Sequence, residues 1–360
     1  MTDPTDLAAL AGARVLITGG AGLIGTALRS TLARAGATVR LLDNLSAYES
    51  ATLALLGTGP LDPDLTVGDS ADGDLVRALV ADADYVVHAA AHSTVQGCAN
   101  DPATAFRSNL AATDTVLRAV ADTPQVRRLV LLSTAQVYGN GDPGADPGRP
   151  RVFTEDAPVR PLNLYASAKT WAEFHTRQLL APAGREFTVL RPFSVYGPGQ
   201  VPKPGAPSWV IAQFSMYAAL GQQLPLNNGG RQVRDFLYLD DAAHGIAHSL
   251  LAPGAAGQTL NLGTGVTTSV RQVAELVCWH YPAAEIVDTP RPAQDPLGAR
   301  ADTTRMCQAL SWRPAVSVDQ GLTRYVDWIK RTPEAIPHWL RAETTEGRIA
   351  AWNPAAPARA

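Results

Sequence analysis

Lysine is nearly missing from this chain: of its 30 Lys and Arg residues, only Lys169, Lys203 and Lys330 are lysines. The net charge is −3 at pH 7, so the excess cationic surface that would displace counterions from nucleic-acid phosphates is absent, and a nucleic-acid partner is excluded. Cysteine is equally scarce. Cys98, Cys278 and Cys307 are odd in number, far apart and without a C-x-x-C pair, which argues against a disulfide framework and against a metal site and fits a reducing cytoplasm. No apolar run approaches the roughly 18 residues a membrane helix needs. The opening MTDPTDLAALAGARVLITGG carries acids where a signal peptide has its basic segment. The expectation is a soluble, unexported, cytoplasmic protein with no membrane partner.

What is present is the composition of a globular protein, with 46% hydrophobic and 18% charged residues over 360 positions, enough for one large domain or two joined ones. ARVLITGG reads as a buried strand running into glycines, AGLIGTALRSTLARAG as a helix closing on Gly36, and TVRLLD as a second strand. Strand, glycine turn, helix, strand begins a parallel sheet with crossover helices. Further strand-like runs are DLTVGD, DYVVHAA, RRLVLLST and EFTVLRPF, with helical stretches around 72–81, 103–121 and 163–180. The fold expected is α/β, a Rossmann-type doubly wound parallel sheet over residues 1–191. A smaller, Pro- and Gly-rich substrate lobe is expected over 192–330. FLYLDDAAHGIAHSLL reads as strand plus helix belonging again to the sheet, so segments near 235–262 are expected to return to it. Residues 139–150 are a loop by composition, and 343–360 read as a weakly ordered tail.

Three glycine positions carry the first chemical signal. Gly19, Gly22 and Gly25 give G-x-x-G-x-x-G, and Gly20, Gly22 and Gly25 give G-x-G-x-x-G. Either way, residues without Cβ let the turn approach a pyrophosphate, and the following helix, opening at Leu23 and Ile24, offers its N–H groups to the anion. Asp43 lies 18 residues beyond Gly25 at the end of the second strand, where a carboxylate accepts from the adenosine ribose and repels a 2′-phosphate, so NAD is favoured over NADP. Arg40, nearby, reads as a solvated strand residue. Ser133 and Thr134 end a later strand, where open parallel sheets place their ligand crevice. Tyr165 and Lys169 stand four apart in NLYASAKTWAEF; nine tyrosines and three lysines among 360 residues give roughly 0.08 such pairs by chance. On a helix, i and i+4 share a face. A tyrosine with a pKa near 10 is a poor base at pH 7 unless an adjacent positive charge favours its phenolate.

These motifs, together with DNLS at 43–46, VGD at 67–69, HAAAHSTV at 88–95, Asn109, STAQVYG at 133–139, RPFSVYGPGQ at 191–200, RDFLYLDD at 234–241 and RPAQDP at 291–296, resemble the extended short-chain dehydrogenase/reductases. More narrowly, the chain resembles the NAD-dependent nucleotide-sugar epimerase/dehydratase family over about residues 13–330. The resemblance implies a catalytic triad of Thr134, Tyr165 and Lys169. It implies cofactor contacts at the glycine turn, Asp43 and Asn44, Asp69 and Ser70 near the adenine, Ala89 and Ala90, Asn109 and Ser133. It places Thr94 and Ser194 near the sugar and Arg234 and Arg291 on the substrate diphosphate, to which arginine's fork is suited. By analogy it implies a homodimer through the helices at 103–121 and 163–180, with Trp171 at the interface.

Members of this family share an oxidation and differ in the step after it. In 4,6-dehydratases of the family an Asp-Glu pair follows the hydroxyl residue and eliminates water; in its UDP-glucuronate decarboxylases a Glu stands at the second position. Here those positions are Ala135 and Gln136, neither ionisable. The expectation is therefore a 4-epimerase acting on a nucleotide-diphosphate sugar. A 4-ketoreductase, dehydrogenase or decarboxylase of the same family is the alternative within enzymes. An NAD-binding sensor or scaffold is the alternative outside them, although such proteins typically lack the Tyr and Lys.

Overall fold

The run RVLIT is apolar at three consecutive positions, the mark of a strand covered on both faces. In a computed structural model, which describes residues 4–141, 149–203, 209–290 and 298–345, it is the strand β1 (Arg14–Thr18), near the centre of a seven-stranded sheet. The chain turns at Gly19, runs through helix α1 (Leu23–Arg34) and returns as strand β2 (Thr38–Asp43), parallel to β1 with Val15 opposite Val39. Across the sheet the order is Thr259–Leu262, Glu186–Pro192, Arg128–Leu132, Tyr85–His88, β1, β2 and Leu65–Val67, and every neighbouring pair is parallel. Succession runs outward from β1 through β2 on one side and restarts at Tyr85–His88 on the other. That reversal is where an open α/β sheet leaves a crevice beyond its strand ends.

Alternation along the strands fills two layers. Val15 and Ile17 join Leu28 and Leu32 of α1 and Ile246 and Leu250 on one face. Leu16, between them, joins Val76, Val80, Leu117, Val120 and Leu180 on the other. The helical stretches lie at Gly73–Val80, at Pro102–Phe106 continuing through a π-helical turn Arg107–Ala111 into Ala112–Ala121, and at Leu164–Leu180.

The strand Phe236–Tyr238 differs from its reading as a strand of the large sheet. It pairs with Ser194–Tyr196, outside that sheet, while its Leu237 and the helix Leu239–Leu251 pack into the core on the sheet's face. The position at the sheet edge is taken by Thr259–Leu262. A three-residue run buried at every position carries no alternation to specify its partner. A third apolar cluster, including Phe214, Met216, Leu224, Val273, Val277, Tyr325 and Ile329, forms the core of the smaller part. Its helices Val270–His280 and Val318–Arg331 both start with capping boxes, Ser269 with Gln272 and Ser317 with Gln320, devices contributing about 1 kcal/mol each. A ribbon joins the two parts: Arg151–Phe153 runs parallel to Ala299–Ala301, and Gly298 bridges to Val233. Of the expected tail 343–360, the residues to Thr345 belong to the helix His338–Thr345 and the rest lie outside the described residues. No described helix is long and apolar enough to cross a membrane.

Candidate active site

A cleft of about 890 Å³ opens beyond the strand ends, between the sheet and the smaller part. Its floor is the glycine turn. Gly19 has φ +72°, and a Cβ there would lie 2.6 Å from the Ala90 nitrogen; a Cβ on Gly25 would lie 2.5 Å from the Gly19 carbonyl oxygen. Any side chain at either position would force backbone apart. Gly19, Gly22 and Gly25 all line the cleft with Leu23 and Ile24. Gly20 instead backs onto the Leu41 side chain, so the G-x-x-G-x-x-G spacing is the one that faces the crevice. Gly22 caps α1 without a side-chain hydrogen bond, leaving first-turn N–H groups for an anion.

Asp43 ends β2 with one carboxylate oxygen accepting from the Leu45 N–H at 2.8 Å and the other from the Ala21 N–H at 3.1 Å. Burial raises its pKa, while those backbone bonds and the Lys203 charge pull it down. Asn44, Asp69, Ser70, Ala89 and Ala90 also line the cleft. Asp69 accepts from the Ala71 N–H at 2.8 Å and from Arg107 Nε at 2.7 Å. Arg40 pairs with Asp82 at 3.4 Å on the surface.

Two expected contacts are placed otherwise. Asn109 lies behind the cleft, buried in the π-helical turn, where its amide accepts from the His92 N–H at 2.7 Å and donates to the His92 carbonyl at 3.2 Å. It clamps the loop that lines the cleft and does not itself line it. Thr94 is likewise absent from the lining; its hydroxyl accepts from the Gly97 N–H at 3.1 Å as the cap of helix Val95–Asn100. Its neighbours Ser93 and Val95 face the cleft instead. A side-chain cap and a ligand contact both draw on a single hydroxyl, so sequence position alone does not separate them.

The helix Leu164–Leu180 starts where Asn163 accepts from the Ala166 N–H at 2.9 Å. Tyr165 and Lys169, one turn apart, both reach the cleft. Lys169 Nζ donates to the Leu132 carbonyl at 2.8 Å, and burial lowers its pKa to about 8 while the nearby Cys98 and Glu173 oppose that shift. The lowering expected for Tyr165 is not what dominates. Burial, the largest influence, pushes the phenol's pKa up, and a hydrogen bond with Thr134 pulls the other way. Thr134 lines the cleft and its hydroxyl also accepts from the Gln136 N–H at 3.2 Å. Ser133 lines it too, but its hydroxyl donates to Glu173 at 2.5 Å. Glu173 in turn is held by Arg191 at 2.9 and 2.6 Å. This buried pair ties the strand end carrying Ser133 and Thr134 to the helix carrying Tyr165 and Lys169.

At the far end of the cleft lie Ser194 and Arg234; Arg291 is outside the described residues. Arg234 is positioned by its neighbour. Asp235 accepts from the N–H groups of Thr264, Gly265 and Ala301 at 2.8, 2.9 and 3.0 Å and from the Thr264 hydroxyl at 2.6 Å, fixing the strand end. The ribbon strand and the residues just before it add Arg151 and Arg149 to this end, two arginines without a signal in the sequence because one lies in the stretch 139–150 that reads as loop and the other directly after it. Also unanticipated are Tyr48, His92 and Lys203 in the lining. Lys203 had one signal, the rarity of lysine in the chain.

The pattern described as the NAD dependent epimerase/dehydratase family matches residues 15–263. A dTDP-glucose 4,6-dehydratase from Streptomyces niveus is 32% identical over 329 residues, covering 88% of this chain and 93% of the relative. A UDP-glucose 4-epimerase from Mycolicibacterium smegmatis is 29% identical, with 88% and 98% covered. Among solved structures, a UDP-glucose 4-epimerase from Thermus thermophilus in complex with NAD superposes with a TM-score of 0.75 at 28% identity, covering 88% of this chain and 99% of that one.

Proposed function

Since the chain belongs to the NAD dependent epimerase/dehydratase family, we propose that it is an epimerase that inverts C4 of a nucleotide-diphosphate sugar through a transient 4-keto sugar. The observation that carries this reading is the pair Ala135 and Gln136 lining the cleft beside Thr134. Elimination of water across C5 and C6 needs an acid and a base there, and neither residue ionises. Gln136 instead accepts from the Asn163 amide at 3.3 Å. The relatives include a dehydratase and an epimerase, so the choice between them rests on these two side chains.

The cleft fits a dinucleotide: the glycine cradle has room only for backbone, the α1 N-terminus faces it, and Asp43 stands where the ribose hydroxyls would be read. Gly19, Gly22, Leu23, Ile24, Gly25, Asp43, Asn44, Asp69, Ser70, Ala89 and Ala90 would hold it. NAD supplies a hydride acceptor that can return the hydride to either face of the sugar carbon. Tyr165 takes the proton of the C4 hydroxyl and gives it back, Thr134 orients that hydroxyl, and Lys169 brings positive charge beside the phenol. Burial pushes the Tyr165 pKa up, and positive charge in the cleft, from Lys169 and a bound nicotinamide, would favour its phenolate. Arg149, Arg151 and Arg234 give the other end the charge to hold a diphosphate. The proposed division places NAD on residues 1–191 with 235–262 and the sugar on 192–330. Assembly is proposed as a homodimer.

Incubation in D2O with UDP-, dTDP-, GDP- and CDP-sugars, without added cofactor, tests the reading. An isomer of unchanged mass that carries no deuterium is expected. Loss of water or CO2, or a product that forms only when NADH or NAD is supplied, would make the protein a dehydratase, decarboxylase or ketoreductase. Bound NAD whose absorbance no sugar nucleotide changes would make it a sensor or scaffold.

A further inference from the structure

Lys203 lies in a Pro- and Gly-rich segment that leads from the sheet into the smaller part, yet its side chain turns back to the adenosine end of the cleft. Its ammonium sits 4.4 Å from the ring centroid of Tyr48, in the loop that follows Asp43 and Asn44, and 5.9 Å from that of Trp209. The segment is held down just before Lys203. Gly199, at φ +89°, packs so closely that a Cβ would meet Leu56 at 2.6 Å and Leu23, in the first turn of α1, at 3.4 Å. At the next residue, the Gln200 carbonyl accepts from the Tyr325 hydroxyl at 2.6 Å, in the core of the smaller part, and the Gln200 amide donates to the Val195 carbonyl at 3.0 Å.

We propose that Lys203 and Tyr48 form a clasp over the adenosine half of the cofactor site, with the ammonium facing the Asp43 carboxylate across the ribose pocket. The clasp keeps the dinucleotide in place through successive turnovers. It deepens the epimerase reading, on which it rests, because an enzyme that returns its hydride has no need to exchange cofactor.

The physical basis is a cation in a half-enclosed site. Lys203 loses solvation there, which lowers its pKa, and the Asp43 charge opposes that loss; the two groups therefore favour each other's charged forms. Burial raises the Tyr48 pKa to about 12, so the ring is an un-ionised phenol whose π face attracts the ammonium. A dinucleotide beneath them adds ribose hydroxyls and a diphosphate that a lysine can bind as a point charge. Because Lys203 is carried by the smaller part and Tyr48 by the sheet's loop, release of the cofactor requires the two to separate.

The test uses the full-length purified protein and NAD itself. Bound NAD per protomer is measured after exhaustive dialysis, and its dissociation rate is followed by fluorescence, for the wild type, Lys203→Met, Lys203→Arg and Tyr48→Leu. The clasp predicts that Lys203→Met and Tyr48→Leu lose NAD about tenfold faster, the change expected from one desolvated cation–π contact, while Lys203→Arg stays near the wild type. Melting of the NAD-free proteins separates this from misfolding, since Met keeps an apolar stem but no charge while Arg keeps both. Wild-type retention in both Lys203→Met and Tyr48→Leu overturns the clasp and leaves the epimerase reading standing. A wild type that binds no NAD overturns both, and the panel of sugar nucleotides then fails with it.

Discussion

At the scale of single residues, the cleft turns on charge held in a buried place. Tyr165 is burdened by burial, Lys169 is kept mostly protonated at neutral pH with its pKa near 8, and Glu173 stands one turn further along the same helix, bound to Arg191. Arg191 and Glu173 side chains are only 5% and 2% exposed, so the pair anchors the helix that carries Tyr165 and Lys169. Tyr165→Phe is expected to keep NAD bound and to lower turnover by about 10²–10⁴-fold, the usual worth of positioned acid/base help. Cofactor content and steady-state rate check it together, and wild-type turnover in that variant would remove Tyr165 from its role. The spacing of Tyr165 and Lys169 was legible because i and i+4 on a helix leave a fixed signature. The support from Glu173 was not, since its meaning comes from Arg191 on a strand that only folding brings near.

At the scale of elements, the clearest joint is the buried His88 at the end of its strand. Its Nδ1 lies 2.7 Å from the Thr18 hydroxyl of β1 and its Nε2 2.9 Å from the Thr113 hydroxyl of the neighbouring helix. Thr113 spends its proton on the Asn109 carbonyl at 2.8 Å, so it accepts from Nε2–H, and Nδ1 accepts from Thr18. A neutral ring satisfies both. Burial, and to a lesser degree the Lys169 charge, lowers the His88 pKa to about 3. The unfolded chain takes up a proton near pH 6.5 that the folded one refuses, so this site's stabilisation is complete above about 6.5 and is lost as pH falls toward 3, at about 1.4 kcal/mol per pH unit. Urea midpoints at pH 5, 6 and 7 should fall less steeply for His88→Gln than for the wild type; equal slopes would remove His88 as the cause. The element order itself was readable from RVLIT, the glycines and the apolar helix that follows. Thr94 and Asn109, expected as ligand contacts, are a cap and a clamp, because a short polar side chain near a ligand loop serves either purpose with the same sequence.

At the scale of the whole molecule, two helices of the sheet's outer layer leave large side chains to solvent. Phe106 is 61% and Phe174 54% exposed, and Trp171, between Lys169 and Phe174 in sequence, stacks on His175 with ring centroids 4.6 Å apart. A homodimer through this face is expected to scatter light as two chains, and Phe174→Glu to scatter as one; a monomeric wild type would end the dimer proposal. Such a charge has no compensation in an apolar interface and costs association more than folding.

The sequence by itself determined the parallel α/β sheet, the glycine turn, Asp43 and the Tyr165–Lys169 pair, because each is written in local spacing: period two in strands, three to four in helices, and glycine where Cβ has no room. Tertiary structure alone decided the rest. Phe236–Tyr238 went to Ser194–Tyr196 and Thr259–Leu262 to the sheet edge, and the ribbon strand and the residues just before it carried Arg151 and Arg149 to the cleft. The chain also folded Lys203 back over Tyr48. These are contacts between residues far apart in the chain, fixed by which buried surfaces fit together, and no short stretch of sequence contains both halves of any of them.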